Sequence, residues 1–115
     1  MIHFYRVESL SKAQSFYIDL LGLTLFKDQG KCQIYQTSQG HLIGFCTHFP
    51  NQKIEQSCIT FVYDSVQDVD EVYLKLNTQG YILEKPTINH FFNIYHFFMK
   101  DPNDLTLEFQ VFLKP

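Results

Sequence analysis

The stretch Ser9-Leu10-Ser11-Lys12-Ala13-Gln14-Ser15-Phe16-Tyr17-Ile18-Asp19-Leu20-Leu21-Gly22-Leu23 decides how the rest of the chain is read. Ser9 suits a helix N-cap, because its hydroxyl accepts a hydrogen bond from a backbone N–H that the first turn leaves unpaired. Ala13, Phe16, Tyr17, Leu20 and Leu21 then recur at helical spacing on one face. Gly22 follows where a chain leaving a helix turns through positive φ. The spacing predicts one amphipathic helix with an apolar face and a sharp stop.

Working outward, residues 2–7 read as a strand before this helix, and residues 23–26, 32–36 and 42–47 as three strands after it. The turn-like Thr37-Ser38-Gln39-Gly40 joins the last two. Residues 48–57, with Pro50 and mostly polar neighbours, read as a linker. The pattern then restarts. Residues 58–63 are strand-like, and Asp68 can cap a helix whose inner face is Val69, Val72, Tyr73 and Leu76. Gly80 ends that helix, residues 81–83 form a short strand, and residues 95–100 and 105–112 flank the turn Asp101-Pro102-Asn103-Asp104. Each half therefore runs strand, helix, Gly, three strands, which is an internal repeat. The expected fold class is α+β: paired βαβββ modules, module one about 1–50 and module two about 57–115, forming one curved, partly open barrel around a cavity.

Composition narrows the function. The 115 residues suit one domain, charged residues are 18%, and the formal net charge of -3 gives no electrostatic reason to expect nucleic acid. No basic run points to a membrane surface, no apolar run can span a bilayer, and the opening Met1-Ile2-His3-Phe4 has no signal-peptide character, so the expected compartment is the cytoplasm. Three cysteines, Cys32, Cys46 and Cys58, are an odd number without a CxxC spacing, which argues against a disulfide framework or zinc knuckle. Twelve Phe and seven Tyr without Trp can fill a core or line an apolar pocket.

The strand and helix order, and several local patterns, resemble the vicinal-oxygen-chelate superfamily, the glyoxalase/bleomycin-resistance/extradiol-dioxygenase group. The run Val7-Glu8-Ser9-Leu10, Ala13, Phe16-Tyr17 and Leu20-Leu21-Gly22-Leu23 is similar to its first-module signature. Phe98-Met99-Lys100-Asp101-Pro102-Asn103-Asp104 with Leu107-Glu108-Phe109-Gln110 resembles its closing hairpin. Thr60-Phe61-Val62, residues 69–73 and Gly80 resemble its second-module strand and helix. Asp104 stands where the family has Gly, in a turn that asks for positive φ, which Asp tolerates better than most residues.

Metal-dependent members place one ligand on the first strand, one on the first strand of module two, and a Glu on the last strand. Here these positions fall on Ile2, Cys58 and Glu108, with His3 one residue off and so on the opposite strand face. No cofactor is expected, and a divalent metal remains open only through Glu108 and a non-standard set, or a bulge that rescues His3. Alternation along the strands gives the pocket-facing candidates: Phe4 and Arg6, then Cys58 and Thr60, then Gln110 beside Glu108. The resemblance adds His96 and Phe98, with Ile43 and Phe45 joining from module one.

Each candidate carries a plainer reading. His96 is a satisfied buried histidine, a general base or a hydrogen-bond donor to a ligand, and Glu108, if buried, needs a partner, for which Arg6 is the expected one. Cys58, a candidate ligand contact, is a small core residue or a nucleophile, and no helix N-terminus or basic neighbour in sequence would activate it. The aromatic stretch Asn89-His90-Phe91-Phe92-Asn93 is a lid, a dimer contact, or a loop tucked onto the core.

The expected function is binding or modification of a small, partly aromatic molecule in an apolar cleft. His96 and Glu108 would act on its polar groups, with Phe4, Phe45 and Phe98 stacking on its body. The resemblance also implies an alternative, a metal-dependent lyase, isomerase, thiol transferase or dioxygenase. A third reading is a domain for protein association. The expected partners are a small ligand and a second copy in a homodimer, with neither nucleic acid nor membrane.

Overall fold

Eight strands and two helices make up the computed structural model, which describes residues 1–47 and 58–114; the expected linker lies outside the described residues. The backbone groups into two compact units, Met1–Gln56 with Pro102–Asp104, and Ser57–Asp101 with Leu105–Pro115.

In the first unit, β1 (Ile2–Arg6) leads to α1 (Leu10–Gln14), which continues into a π-helical turn over Ser15–Leu20, then β2 (Thr24–Asp28), β3 (Cys32–Gln36) and β4 (Leu42–Cys46). Ser9 is the N-cap, its hydroxyl accepting from the Lys12 N–H at 3.2 Å. The wide turn shows in the Leu21 N–H, which donates to the Phe16 carbonyl five residues back at 3.0 Å. It leaves the adjacent Phe16 and Tyr17 both buried, with their rings edge to face at 5.0 Å. Gly22, at φ +80, then lets the Leu23 N–H reach the Tyr17 carbonyl at 2.9 Å and close the helix.

The first sheet runs β1-β4-β3-β2, with β1 and β4 parallel and the other pairs antiparallel. Tyr5 and Phe45 are opposite one another. Tyr17 from the helix stacks on Phe45 at 4.6 Å, and Tyr35 lies 5.4 Å from the same ring. Phe45 is thus fully buried as the hub of this core; truncating such a ring to Ala costs about 3–5 kcal/mol.

The second unit repeats the connectivity: β5 (Cys58–Tyr63), α2 (Val66–Thr78), β6 (Thr87–Asn89), β7 (Ile94–Lys100) and β8 (Thr106–Phe112), in the order β5-β8-β7-β6 with β5 and β8 parallel. Phe109 on the central strand stacks with Phe61 at 5.4 Å and Phe97 at 5.0 Å, and Tyr73 of α2 meets Phe97 edge to face at 5.4 Å. That aromatic layer, with Val69 and Leu76 buried, holds α2 on one side of the sheet. Residues of the other parity, among them Thr60, His96, Phe98, Glu108 and Gln110, face the opposite side. The fold is α+β, two βαβββ modules of equal topology.

Four sequence expectations need correction. The cap of α2 is Ser65, whose hydroxyl accepts from the Asp68 N–H at 3.0 Å, so Asp68 sits in the first turn, where its charge suits the helix dipole. Residues 81–83 form no strand: Ile82 is 96% exposed, and the strand that pairs with β7 is Thr87–Asn89 instead. Cys32 and Cys46 are joined by a disulfide across β3 and β4. They are directly opposed, and their Cα atoms lie 4.2 Å apart, as in the closely spaced pairs of an antiparallel ladder. The stretch 89–93 is not tucked onto the core, since Phe91 and Phe92 are 88% and 65% exposed. Asn89 Oδ1 accepts from both their N–H groups, and Asn93 takes φ 56, which sets the rings outward. Asp104 does adopt the left-handed turn its position asks for, at φ 68.

Candidate functional site

Strand register alone brings four chemically useful side chains together on the face of the second sheet away from α2. Thr60 on β5 lies opposite Glu108 on β8, and Phe98 on β7 lies opposite Glu108 from the other side. His96 is two residues from Phe98, hence on the same face and diagonal to Glu108.

His96 Nδ1 and Glu108 Oε2 are 2.7 Å apart. A carboxylate can only accept, so Nδ1 carries the proton and donates it. The other carboxylate oxygen, Oε1, accepts from the Thr60 hydroxyl at 2.9 Å. Both oxygens of Glu108 are therefore engaged, and the carboxylate is fixed in position and orientation. The Phe98 ring meets the imidazole edge to face at 5.1 Å and limits its rotation. With the His96 and Glu108 side chains only 12% and 13% exposed, the pair is shielded from bulk water. In the neutral ring that contact would leave Nε2 as the acceptor, the tautomer that a general base or hydrogen-bond acceptor requires.

Cys58 begins the same strand face, its sulfur 3.9 Å from the Thr60 hydroxyl. It is exposed and free of any disulfide, so it is not the small core residue that its plainer reading gave. Burial of its sulfur pushes the thiol pKa up; the Thr60 hydrogen bond lowers it, and the Glu108 charge raises it again. The net direction keeps Cys58 a neutral thiol and makes it a poor nucleophile. Gln110, opposite His96 and 7% exposed, completes the candidates on this face.

The first sheet treats its candidates differently. Phe4 lies opposite Gly44, and a Cβ built on Gly44 would come within 2.2 Å of the Phe4 ring. The glycine thus lets this ring lie flat on the sheet, on the face shared with Ile2 and Arg6. Phe45 and Ile43 belong to the opposite face, with Tyr5 and the helix, because the register sets Phe4 against residue 44 and not 45. Phe45 is thus a core residue and not a neighbour of Phe4. His3 shares the Tyr5 and Ile43 parity, away from Phe4. Arg6 pairs with Glu8, and Glu108 pairs with His96.

The donor set does not fit the metal ligation that the family implies. The opening strand offers an aliphatic Ile2 on the Phe4 face, Cys58 offers a soft thiol, and both oxygens of Glu108 already accept hydrogen bonds. Among the described residues, no three His, Cys, Asp or Glu side chains gather into a metal-binding group.

Register also shows what the sequence reading missed. Lys100 lies opposite Thr106 and donates to its hydroxyl at 2.9 Å, one step along the same face from Phe98. Asn103, 6% exposed in the Asp101 turn, accepts on Oδ1 from the Glu8 and Ser9 N–H groups and donates from Nδ2 to the Ser9 carbonyl. Parity could have found Lys100; nothing local marks Asn103, whose partners lie more than 90 residues earlier in sequence.

Two mixed four-stranded sheets, each with its helix on one side and a polar, aromatic-lined face on the other, define a class of paired βαβββ proteins. Solved structures share this fold at low identity. An integron cassette protein from the mobile metagenome of a Halifax Harbour sewage outfall superimposes with a TM-score of 0.83 at 18% identity, covering 96% of each chain. A lactoylglutathione lyase from Agrobacterium tumefaciens gives 0.79 at 18%, covering 96% of this chain and 91% of its own. A genomically encoded fosfomycin resistance protein from Listeria monocytogenes gives 0.81 at 15%, covering 98% and 92%. No curated protein matches the sequence at a significant level. The model of the Glyoxalase/Bleomycin resistance protein/Dioxygenase superfamily matches residues 2–109, and the chain belongs to that superfamily.

Proposed function

We propose that this protein binds a small, partly aromatic molecule on the Thr60–His96–Phe98–Glu108 face and that His96 Nε2 accepts a hydrogen bond or a proton from it. The observation that carries this reading is the 2.7 Å contact between His96 Nδ1 and Glu108 Oε2, backed by the Thr60 hydroxyl. The contact satisfies a mostly buried carboxylate and at the same time fixes the orientation of the imidazole. In a reaction, the imidazole would take a proton from the substrate while Glu108 stabilises the imidazolium formed, as in a lyase or isomerase step. Phe98 supplies a ring face for the ligand body.

Thermal-shift screening against planar aromatic compounds tests this reading. Compounds that stabilise the native chain should lose most of that effect on His96→Ala and on Glu108→Ala. Stabilisation that survives both substitutions in full would refute it.

The proposal extends to assembly and location. The two modules form one domain, and two chains associate as a homodimer through exposed apolar residues such as Phe26, Phe91 and Phe112; a monomer in sedimentation would reject this. No helix among the described residues is long and apolar enough to cross a membrane. We place the chain in the cytoplasm, where Cys32 and Cys46 would be held as thiols. Alkylation of intact cells before lysis would trap them so, and an oxidised pair in that experiment would argue for another compartment.

A further inference from the structure

Beside the His96–Glu108 pair the second module has a recess of about 310 Å³, lined by residues 82–84, Phe98, Met99, Lys100 and Thr106. Its lining is mostly apolar and includes Leu83 and Phe98. Two opposite charges line it, Glu84 and Lys100, both exposed. Lys100 donates one hydrogen bond to Thr106, which holds its ammonium over the recess with two N–H donors to spare. Glu84 enters no ion pair among the described residues, so the two charges do not cancel each other.

An anion entering this recess is drawn by Lys100 and repelled by Glu84, and a cation meets the reverse. A ligand group carrying both charges satisfies both side chains at once. Phe98 belongs to both places: it lines the recess and packs against His96. Successive same-face residues on a strand are about 7 Å apart, so a head in the recess leaves an aromatic body within reach of His96.

We infer that the recess receives the ammonium–carboxylate head of a zwitterionic ligand of the α-amino-acid type, whose apolar body lies along Phe98 toward His96. This inference rests on the reading of the His96 face as a ligand site.

The test compares three probes with one body: L-phenylalanine, phenethylamine, which lacks the carboxylate, and hydrocinnamate, which lacks the ammonium. Affinities are read by NMR titration on the native chain. L-Phenylalanine should bind about threefold more tightly than either analogue, the scale of one exposed charge pair. Lys100→Met should abolish its advantage over phenethylamine, and Glu84→Gln its advantage over hydrocinnamate. His96→Ala should weaken all three without changing their order. An order that ignores both Lys100→Met and Glu84→Gln overturns the inference even if His96→Ala weakens binding, and so does an absence of L-phenylalanine binding to the native chain. Charge-dependent order with no effect of His96→Ala would uphold the recess and remove His96 from ligand contact.

Discussion

The Nδ1 of His96 donates to the Oε2 of Glu108 across two neighbouring strands, from positions that are diagonal and not directly opposed. The geometry fixes which ring nitrogen carries the proton. Natural-abundance or labelled imidazole ¹⁵N spectra should show the Nδ1–H form of the neutral ring in the native chain. In Glu108→Ala, which removes the acceptor, the population should move toward the Nε2–H form. Unchanged tautomer populations would mean that the carboxylate does not orient the ring.

Asn103 makes three hydrogen bonds to the backbone of Glu8 and Ser9 while almost fully buried. Asn103→Ala strands two N–H donors and a carbonyl, and should cost about 1–3 kcal/mol in denaturant unfolding. Asn103→Asp keeps the two acceptor bonds but sets a carboxylate oxygen against the Ser9 carbonyl in a buried site, so it should destabilise as well.

How much of this was legible in the sequence depended on whether the signal was local. Ser9, Gly22 and the apolar spacing between them gave the first helix, because caps and periodicity act within a few residues. The π-helical turn inside it leaves no such mark. The run Tyr81-Ile82-Leu83 has strand-like side chains but no partner strand, and Thr87–Asn89 is strand because the Asn89–Asn93 turn folds it back on β7. On the face of the second sheet, Thr60, His96, Phe98, Glu108 and Gln110 followed from parity and from the family resemblance together. Phe45 failed because the parallel register of β1 with β4 is a long-range fact: slipping the pairing by one residue moves the ring from the Phe4 face to the helix. The Cys32–Cys46 bond does leave a signal in the sequence, since the two cysteines stand symmetrically about the turn near Gln39. Counting cysteines as odd hid that pair behind the unpaired Cys58.

The Cys32–Cys46 disulfide closes a loop with a sequence separation of 14. A loop of that size removes about 3 kcal/mol of freedom from the unfolded chain. Adding a reductant should therefore lower the melting temperature of protein first oxidised in vitro, and thiol counting of that oxidised form under denaturing conditions should find Cys58 alone before reduction and all three cysteines after it. A melting temperature indifferent to reductant would show that the bond does not constrain the chain.

Three phenols set the alkaline limit. Burial first, and then Asp28, push Tyr35 up to about 12. Burial and Asp68 do the same for Tyr63, and the hydrogen bond to Asp70 leads for Tyr95, each up to about 12. An unfolded tyrosine ionises near about 10. Above that pH the unfolded chain loses protons that the folded chain keeps, so the stability these residues contribute is whole below about pH 10 and is lost as pH rises toward 12. Melting temperature against pH should fall across this window, and Tyr95→Phe should make the fall shallower. An equally steep fall in Tyr95→Phe would place the alkaline lability elsewhere.

Gly44 carries the Phe4 ring on its bare backbone. Gly44→Ala should displace that ring and cost about 1–3 kcal/mol, as overpacking does, with the Phe4 ring resonances shifting most in aromatic NMR spectra. A variant of native stability with unmoved Phe4 signals would contradict the contact.

The most direct test of the proposed ligand face is amide and side-chain chemical-shift mapping of the native protein during titration with a planar aromatic compound that stabilises it. Shifts should concentrate at Thr60, His96, Phe98 and Glu108 and vanish in His96→Ala. Shifts confined to other surfaces, such as the exposed Phe91 and Phe92, with those four residues silent, would contradict the account.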